Sequence, residues 1–330
     1  GPPAAKRAAP AVPVPAVPIE DPAGALGPFF ERLARLGADG TDPLVRVTHF
    51  GDSPLTGDLV SGEVRELLQS ELGDGGPGFV LPARPWAWYG RQGVGIDAKG
   101  WRAFSPLLAP GTGARHGFGL VSFTSGSDGA VSEVRRERGS FTRVELLLAT
   151  GPGGGTLRVA LDEGAPVEVP TAGAAPGTTL HRETAAAGAS RVVLRPKGDG
   201  DVTLLGLVLE TDGPGIVWDA VGANGASVHA VNRLDESSFV AALGLRRSDL
   251  VVLNYGTNES AMEGIGGPRY EKEYAETIAR IRAALPGAPI LVMAPMDRGT
   301  RLPDGTIGTL PAIPRLVAAQ RKVARESGCA

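Results

Sequence analysis

The spacing of apolar and polar positions divides the chain into three textures. From Ala25 to Leu36, Leu26, Phe29, Phe30, Leu33 and Leu36 recur at helical intervals and predict one amphipathic helix. Leu44-Val45-Arg46-Val47-Thr48-His49-Phe50 reads as a short buried strand that ends abruptly in Gly51-Asp52-Ser53. A second helix is expected over roughly Leu59 to Leu72, closed by Gly73. Between about Gly90 and Gly213 helical periodicity disappears, and short apolar or alternating runs stand between Gly-rich turns. Examples are Gly119–Phe123, Phe141–Leu148, Thr156–Leu161, Arg191–Leu194 and Val202–Leu209, a pattern that predicts a β-sandwich.

After Gly213 helix and strand alternate again. Ile216–Ala220 is an expected strand, followed by the turn Gly222-Ala223-Asn224-Gly225 and a helix through Leu234. Asp249–Tyr255 is a second strand, ending in Gly256-Thr257-Asn258-Glu259; Arg269–Leu285 is a helix, Pro289–Met293 a strand and Ile313–Glu326 a helix. The resulting order is β-α, insertion, β-α-β-α-β-α. Parallel crossovers of this kind build an α/β fold with a doubly wound sheet, whose ligands sit at the C-terminal ends of the strands. Four segments follow: a Pro/Ala-rich leader or linker over 1–23, the first part of the α/β domain over 24–90, an inserted β domain over 91–212 and the second part of the α/β domain over 213–330. The sequence stops after a helix where such a fold would take one more strand, so the expectation is that this strand is missing from the chain.

Composition narrows the partners. The 330 residues are 42% hydrophobic and 21% charged, with 48 glycines and 28 prolines, which suits many turns and short strands better than a helical bundle. A net charge of −3 offers no basic field for nucleic acid or an anionic membrane. The one cysteine, Cys329, allows neither an intrachain disulfide nor a cysteine-built metal site. No apolar run approaches the roughly 20 residues of a membrane span. The stretch 1–22 alternates Ala, Pro and Val, which forbids helix and suits an extended tether, either a plain leader or a spacer from a removed signal or anchor. The chain opens Gly1-Pro2 without an initiator Met, as a protease-trimmed product would, so the lack of a targeting segment says little.

Three expected strand ends each finish in a small, polar, Gly-containing turn. The first supplies a hydroxyl, Ser53, just before a helix, where backbone N–H groups and a partial positive charge favour an anion. The second supplies Gly225, whose missing side chain frees its amide to face a carbonyl oxygen, and the third supplies the carboxamide of Asn258. Two amides and one carboxamide make an oxyanion hole for acyl transfer. Each residue has a plainer reading beside the chemical one: Ser53 as a helix cap, Asn258 as a turn residue, Asp52 as a ligand of nearby backbone, His49 and His229 as packed or surface histidines. Trp86, Trp88, Tyr89 and Trp101 lie close together and either stack on sugar rings or pack a domain junction.

Gly51-Asp52-Ser53, Gly222-x-Asn224-Gly225 and Gly256-Thr257-Asn258-Glu259 resemble the first three blocks of the SGNH (GDSL-type) hydrolases. The phrases His49-Phe50-Gly51-Asp52-Ser53, Gly73-Asp74-Gly75-Gly76-Pro77-Gly78-Phe79 and Tyr255-Gly256-Thr257-Asn258-Glu259 further resemble bacterial peptidoglycan O-acetylesterases, in which a β-sandwich like a carbohydrate-binding module is inserted between the first two blocks. The resemblance implies a flavodoxin-like sheet and Ser53 as nucleophile, with the Ser53 N–H, the Gly225 N–H and Asn258 as oxyanion donors. It further implies no metal or organic cofactor, an acetylated cell-wall polysaccharide as substrate and a periplasmic or secreted location; of the aromatic cluster, Trp86 and Trp88 are the candidate sugar contacts. One element departs from it. The family's catalytic Asp-x-x-His pair is not found, because none of His49, His116, His181 and His229 follows an Asp by three residues. The expectation is that a C-terminal segment beyond Ala330 or a second chain supplies it, which leaves the activity of this polypeptide alone in question. Three functions stay open: O-acetylesterase, O-acetyltransferase on the same residues, and a catalytically inactive glycan-binding protein.

Overall fold

Eight consecutive buried residues, Leu44–Gly51, leave a strand with no solvent face, as the centre of a parallel sheet requires. The computed structural model, which describes residues 17–38, 42–108, 114–262 and 265–330, places that strand between two parallel neighbours. The described elements run α1 (Gly27–Ala34), β1 (Leu44–Gly51), α2 (Ser53–Thr56) and α3 (Leu59–Leu72). A long run of strands follows: β2 (Gly78–Val80), β3 (Val94–Lys99), β4 (Arg102–Phe104), β5 (Ser122–Ser125), β6 (Val131–Arg136), β7 (Phe141–Thr150), β8 (Thr156–Leu161), β9 (Val167–Pro170), β10 (Gly177–Ala189), β11 (Arg191–Pro196) and β12 (Val202–Glu210). The chain then returns to β13 (Gly215–Gly222), α4 (Val228–Asn232), α5 (Glu236–Arg246), β14 (Leu250–Asn254), a 3-10 turn (Glu259–Ala261), α6 (Pro268–Ala284), β15 (Ile290–Val292), the hairpin β16 (Gly299–Arg301) and β17 (Ile307–Thr309), and α7 (Ala312–Glu326).

The parallel sheet has the order β13-β1-β14-β15, so the first of its strands in sequence lies between the second and the third. This is the doubly wound pattern, with its switch point beside β1. Val45 and Val47 turn to a core shared with Leu26, Phe29 and Leu250, while Phe50 faces the opposite side, against Phe118 and Phe239. After α7 the backbone returns to the outer edge of β15, where the Ala330 N–H donates to Ile290 O at 3.1 Å and the Val292 N–H to Ala330 O at 2.8 Å.

The intervening strands form two antiparallel sheets, β10-β7-β12-β5-β4 with β2 also on β12, and β3-β6-β11-β8-β9. Pairing of Gly78–Val80 with Leu207–Leu209 starts the first of them ahead of the expected boundary at 91. The strand expected at Gly119–Phe123 sits later, because Leu120 takes a left-handed φ of 66° that breaks extended backbone. Helix α5 and the hairpin β16–β17 are additions to the elements expected from sequence.

The parallel and antiparallel parts share a buried core, in which Phe118 packs edge-on to Phe50 and tilted against Phe79. A buried ionic cluster sits at the same seam. Glu210, at the end of β12, accepts from Arg46 Nε of β1 at 2.9 Å and from Arg246 Nη1 of α5 at 2.7 Å, and Arg246 Nε also reaches Asp219 Oδ2 of β13 at 2.5 Å. Burial alone would raise the Glu210 carboxyl, but Arg246, Arg46 and Arg143 hold it well below the usual carboxylate range. Of the expected leader, residues 1–16 lie outside the described residues. The rest is tied down by Glu20, which pairs with Arg321 and Arg325 of α7 at 2.8 Å, and by Asp21, which accepts the Ala25 and Leu26 amides. No described helix is long and apolar enough to cross a membrane.

Candidate active site

Register fixes where three loops leave the parallel sheet. Gly51 of β1 is level with Gly222 of β13 on one side and with Asn254 of β14 on the other. The turns that carry Ser53, Gly225 and Asn258 therefore emerge together at the C-terminal edge, beside the switch point. Ser53 is exposed, Gly225 is exposed and Asn258 is partly exposed, while their neighbours Asp52, Ala226 and Glu259 are buried. A hydroxyl open to solvent thus stands on a rigid base.

Ser53 opens α2, a single turn, with Asp52 at the cap position. The long helix α3 starts only after Asp58, whose left-handed φ of 55° redirects the chain. The dipole of α3 is therefore not aimed along Ser53 as the sequence suggested; what Ser53 retains is the free backbone N–H of the first turn. The loop folds this tightly because Gly222 has no side chain. A Cβ there would stand 2.5 Å from the Leu55 carbonyl carbon, so the β13 end packs directly under α2. Gly225 is demanded by conformation instead: its φ is +76°, and the space where a Cβ would go is open.

The loops are joined to each other. Asn258 Nδ2 donates to Ala226 O at 2.8 Å, which couples the third turn to the second and leaves the other amide hydrogen of that nitrogen for a ligand. Glu259 adds two more ties, accepting the Val228 N–H on Oε1 at 3.1 Å and the Gly256 N–H on Oε2 at 3.0 Å. Asp52 faces Thr257, which links the first turn to the third; burial pushes the Asp52 carboxyl up while hydrogen bonding from Thr257 opposes the rise. Burial also pushes the Glu259 carboxyl, up to about 7, with Asp52 adding to the shift. From outside, Arg298, just ahead of β16, donates from Nη1 to Thr257 O at 3.1 Å and Ser260 Oγ at 2.7 Å. Gln320 of α7 donates to Tyr255 O at 2.6 Å.

None of the four histidines hydrogen-bonds to Ser53 among the described residues. His49 is buried in β1 with both ring nitrogens unpartnered, edge-on to Trp218, and burial lowers its pKa to about 4. His116 is buried with both nitrogens unpartnered, and burial lowers its pKa as well. His181 meets Glu183 at 2.6 Å on β10, and His229 of α4 faces Glu273 at 3.6 Å.

The two tryptophans separate. Trp86 is partly buried against the core, with its indole N–H buried and unpartnered. Trp88 is 76% exposed, on a loop fastened to the Ser53 turn by the Gly90 N–H donating to Thr56 O at 3.0 Å. Nearby Trp101 packs against the core, and the Tyr89 hydroxyl accepts the Leu81 N–H at 2.7 Å. Glu259, Arg298 and Gln320 were not singled out from sequence. For Glu259 the motif offered a signal, an acid directly after Asn258; for the other two it offered none.

The GDSL-like lipase/acylhydrolase family model matches residues 184–330, from within β10 through the Gly225 and Asn258 turns to the last residue. A solved peptidoglycan O-acetylesterase, 25% identical, aligns over 92% of this chain and 81% of its own with a TM-score of 0.74. The chain resembles the SGNH (GDSL-type) hydrolases. Among that family it resembles peptidoglycan O-acetylesterases, and the alignment spans the antiparallel sheets as well as the parallel one. A family two carbohydrate esterase from Cellvibrio japonicus is 12% identical over 71% of this chain and 85% of its own, at a TM-score of 0.24, too low to carry an argument. No curated protein matches the chain.

Proposed function

We propose that this chain is an SGNH-type serine esterase that removes O-acetyl groups from a cell-wall polysaccharide of the peptidoglycan kind, in the periplasm or outside a bacterial cell. The observation that carries this reading is the exposed Ser53 at the end of β1, with the Gly225 and Asn258 turns level with it and tied to each other. The substrate class is taken from the alignment with a solved peptidoglycan O-acetylesterase. In the proposed reaction the Ser53 hydroxyl attacks the acetyl carbonyl. The Ser53 and Gly225 amides and the Asn258 carboxamide hold the oxygen as it becomes negative; the ester C–O bond then breaks, the sugar hydroxyl leaves with the proton taken from Ser53, and water releases acetate from the acyl-enzyme. The two antiparallel sheets are read as an inserted β-sandwich of carbohydrate-binding type, separating an α/β domain into parts before and after it. Trp88 offers its exposed face to a sugar ring beside Ser53, and Trp86 contributes only the edge it keeps exposed.

Because His49 and His116 are buried and His181 and His229 each face a glutamate with no hydrogen bond to Ser53, the general base in this reading is a His–Asp pair from polypeptide outside residues 1–330, in a C-terminal segment or a second chain. The same observation favours a second reading, a glycan-binding protein without turnover. Acetate release from O-acetylated peptidoglycan separates them, measured for residues 1–330, for a C-terminally extended chain and for Ser53→Ala in each. The esterase reading expects extension to raise the rate and Ser53→Ala to cut it by about 10³-fold or more. Glycan binding with no acetate released by any of the four sinks it. Transfer of acetyl to an added glycan acceptor instead of water would mark a transferase.

A further inference from the structure

An oxyanion site assembled from two loops works only if the loops keep a fixed distance, since a displacement of an ångström costs heavily in rate. The Gly225 amide belongs to the turn after β13 and the Asn258 carboxamide to the turn after β14, strands separated by β1. We propose that Glu259 is a positioning residue, whose single carboxylate clamps the turn carrying Gly225 to the turn carrying Asn258. This inference rests on the reading of those two groups as oxyanion donors.

The geometry is two-handed. Oε1 takes the Val228 N–H at 3.1 Å, at the first residue of α4 and close behind Gly225; Oε2 takes the Gly256 N–H at 3.0 Å, just ahead of Asn258. Both amides are donors, so each oxygen must accept. A carboxylate satisfies both, whereas a glutamine would turn its NH2 against one of them and an aspartate is one methylene too short to span the gap. Glu259 is 2% exposed, and no Lys or Arg pairs with it among the described residues. A buried acid without a counter-ion is costly, and the amides alone justify it here.

The groups around the clamp are Asp52 at the end of β1, Tyr255 after β14, and Tyr270 and Tyr274 on α6. On the loop's far side Arg298 holds Thr257 O and Ser260 Oγ, and on α4 the exposed His229 faces Glu273. Burial and the Asp52 charge bring the Glu259 proton up to about 7, so the clamp passes from acid to carboxylate near neutral pH and its hold on both amides tightens as pH rises.

Amide NMR of the full chain between pH 5.5 and 8.5 reads this directly, without substrate, so it stands or falls separately from esterase activity. The expected result is one shared midpoint near 7 for the Val228 and Gly256 amides, the Gly225 amide and the Asn258 side-chain NH2. The step is expected to vanish in Glu259→Gln, to survive in His229→Gln and to move to lower pH in Asp52→Asn. Wherever the chain shows ester turnover, alone or extended, Glu259→Gln is expected to lower kcat about 10-fold or more with KM little changed, and Glu259→Asp to behave alike. Gly225 and Asn258 resonances that stay still while Val228 and Gly256 titrate would overturn the proposal, as would a step retained in Glu259→Gln. The wild-type titration decides the matter even if the variants fail to fold.

Discussion

His49 shows how little residue type says without its surroundings. Its sequence position next to Gly51-Asp52-Ser53 invites a catalytic reading, yet the ring is buried without a hydrogen-bond partner, and burial lowers its pKa to about 4 from an ordinary 6.5. The unfolded chain therefore binds a proton that the folded one refuses. Stability should be complete above pH 6.5 and fall as pH drops from about 6.5 towards 4, by up to about 3 kcal/mol from this residue. Denaturant titrations at pH 7 and 4.5 should show that loss in the wild type and much less of it in His49→Leu. Ser53, Gly225 and Asn258 could be singled out from sequence because short local phrases carry them, and the structure brings their turns to one edge of the sheet. The clamp by Glu259 was not, since its partners are a near neighbour, Gly256, and an amide on another strand's loop, Val228.

At the scale of elements, the strongly periodic segments were readable and the weakly marked ones were not. Helix α3 was expected over Leu59–Leu72 and closes at Gly73 as anticipated. Helix α5 was missed because Ser237, Ser238 and Gly244 dilute its helical pattern, although Asp235 does cap it by accepting the Ser238 N–H at 2.8 Å. The hairpin β16–β17 was missed for another reason. Its strands are short and largely exposed and carry no alternation, leaving only Pro303-Asp304-Gly305 as a turn signal. That hairpin matters, because Arg298 at its base braces the Asn258 turn. Across the site, the loop of Trp88 is bonded to the end of α2. If it stacks on the polymer, Trp88→Ala should raise KM on O-acetylated glycan about 5- to 10-fold and leave both kcat and turnover of a small activated ester unchanged. Equal losses on glycan and small ester would remove Trp88 from substrate binding.

For the whole molecule, the parallel and antiparallel parts meet in one shared core, and the parallel sheet keeps a second core on its other face. Texture along a chain reports local periodicity; it is blind to a side chain such as Phe118, which meets both Phe50 and Phe79 only after folding. The seam is also held by charge: Glu210 at the end of the antiparallel strands is buried among Arg46, Arg143 and Arg246. Removing that carboxylate leaves the arginines uncompensated, so Glu210→Ala should cost about 3–5 kcal/mol of stability at pH 7. Because its folded pKa is depressed, the contribution is present above the ordinary value of 4.5 and is lost as pH falls below it. A melting midpoint unmoved by Glu210→Ala would mean the seam is held by its aromatic core alone.

The claim on which the rest depends is that Ser53, Gly225 and Asn258 share one pocket. A crystal structure of the chain after reaction with a fluorophosphonate, which leaves a tetrahedral phosphoryl group on an activated serine, measures it most directly. The expected adduct is on Ser53, with its phosphoryl oxygen about 2.7–3.1 Å from the Gly225 N–H and from Asn258 Nδ2. An adduct on Ser53 whose oxygen points to solvent, with both donors out of reach, would contradict it.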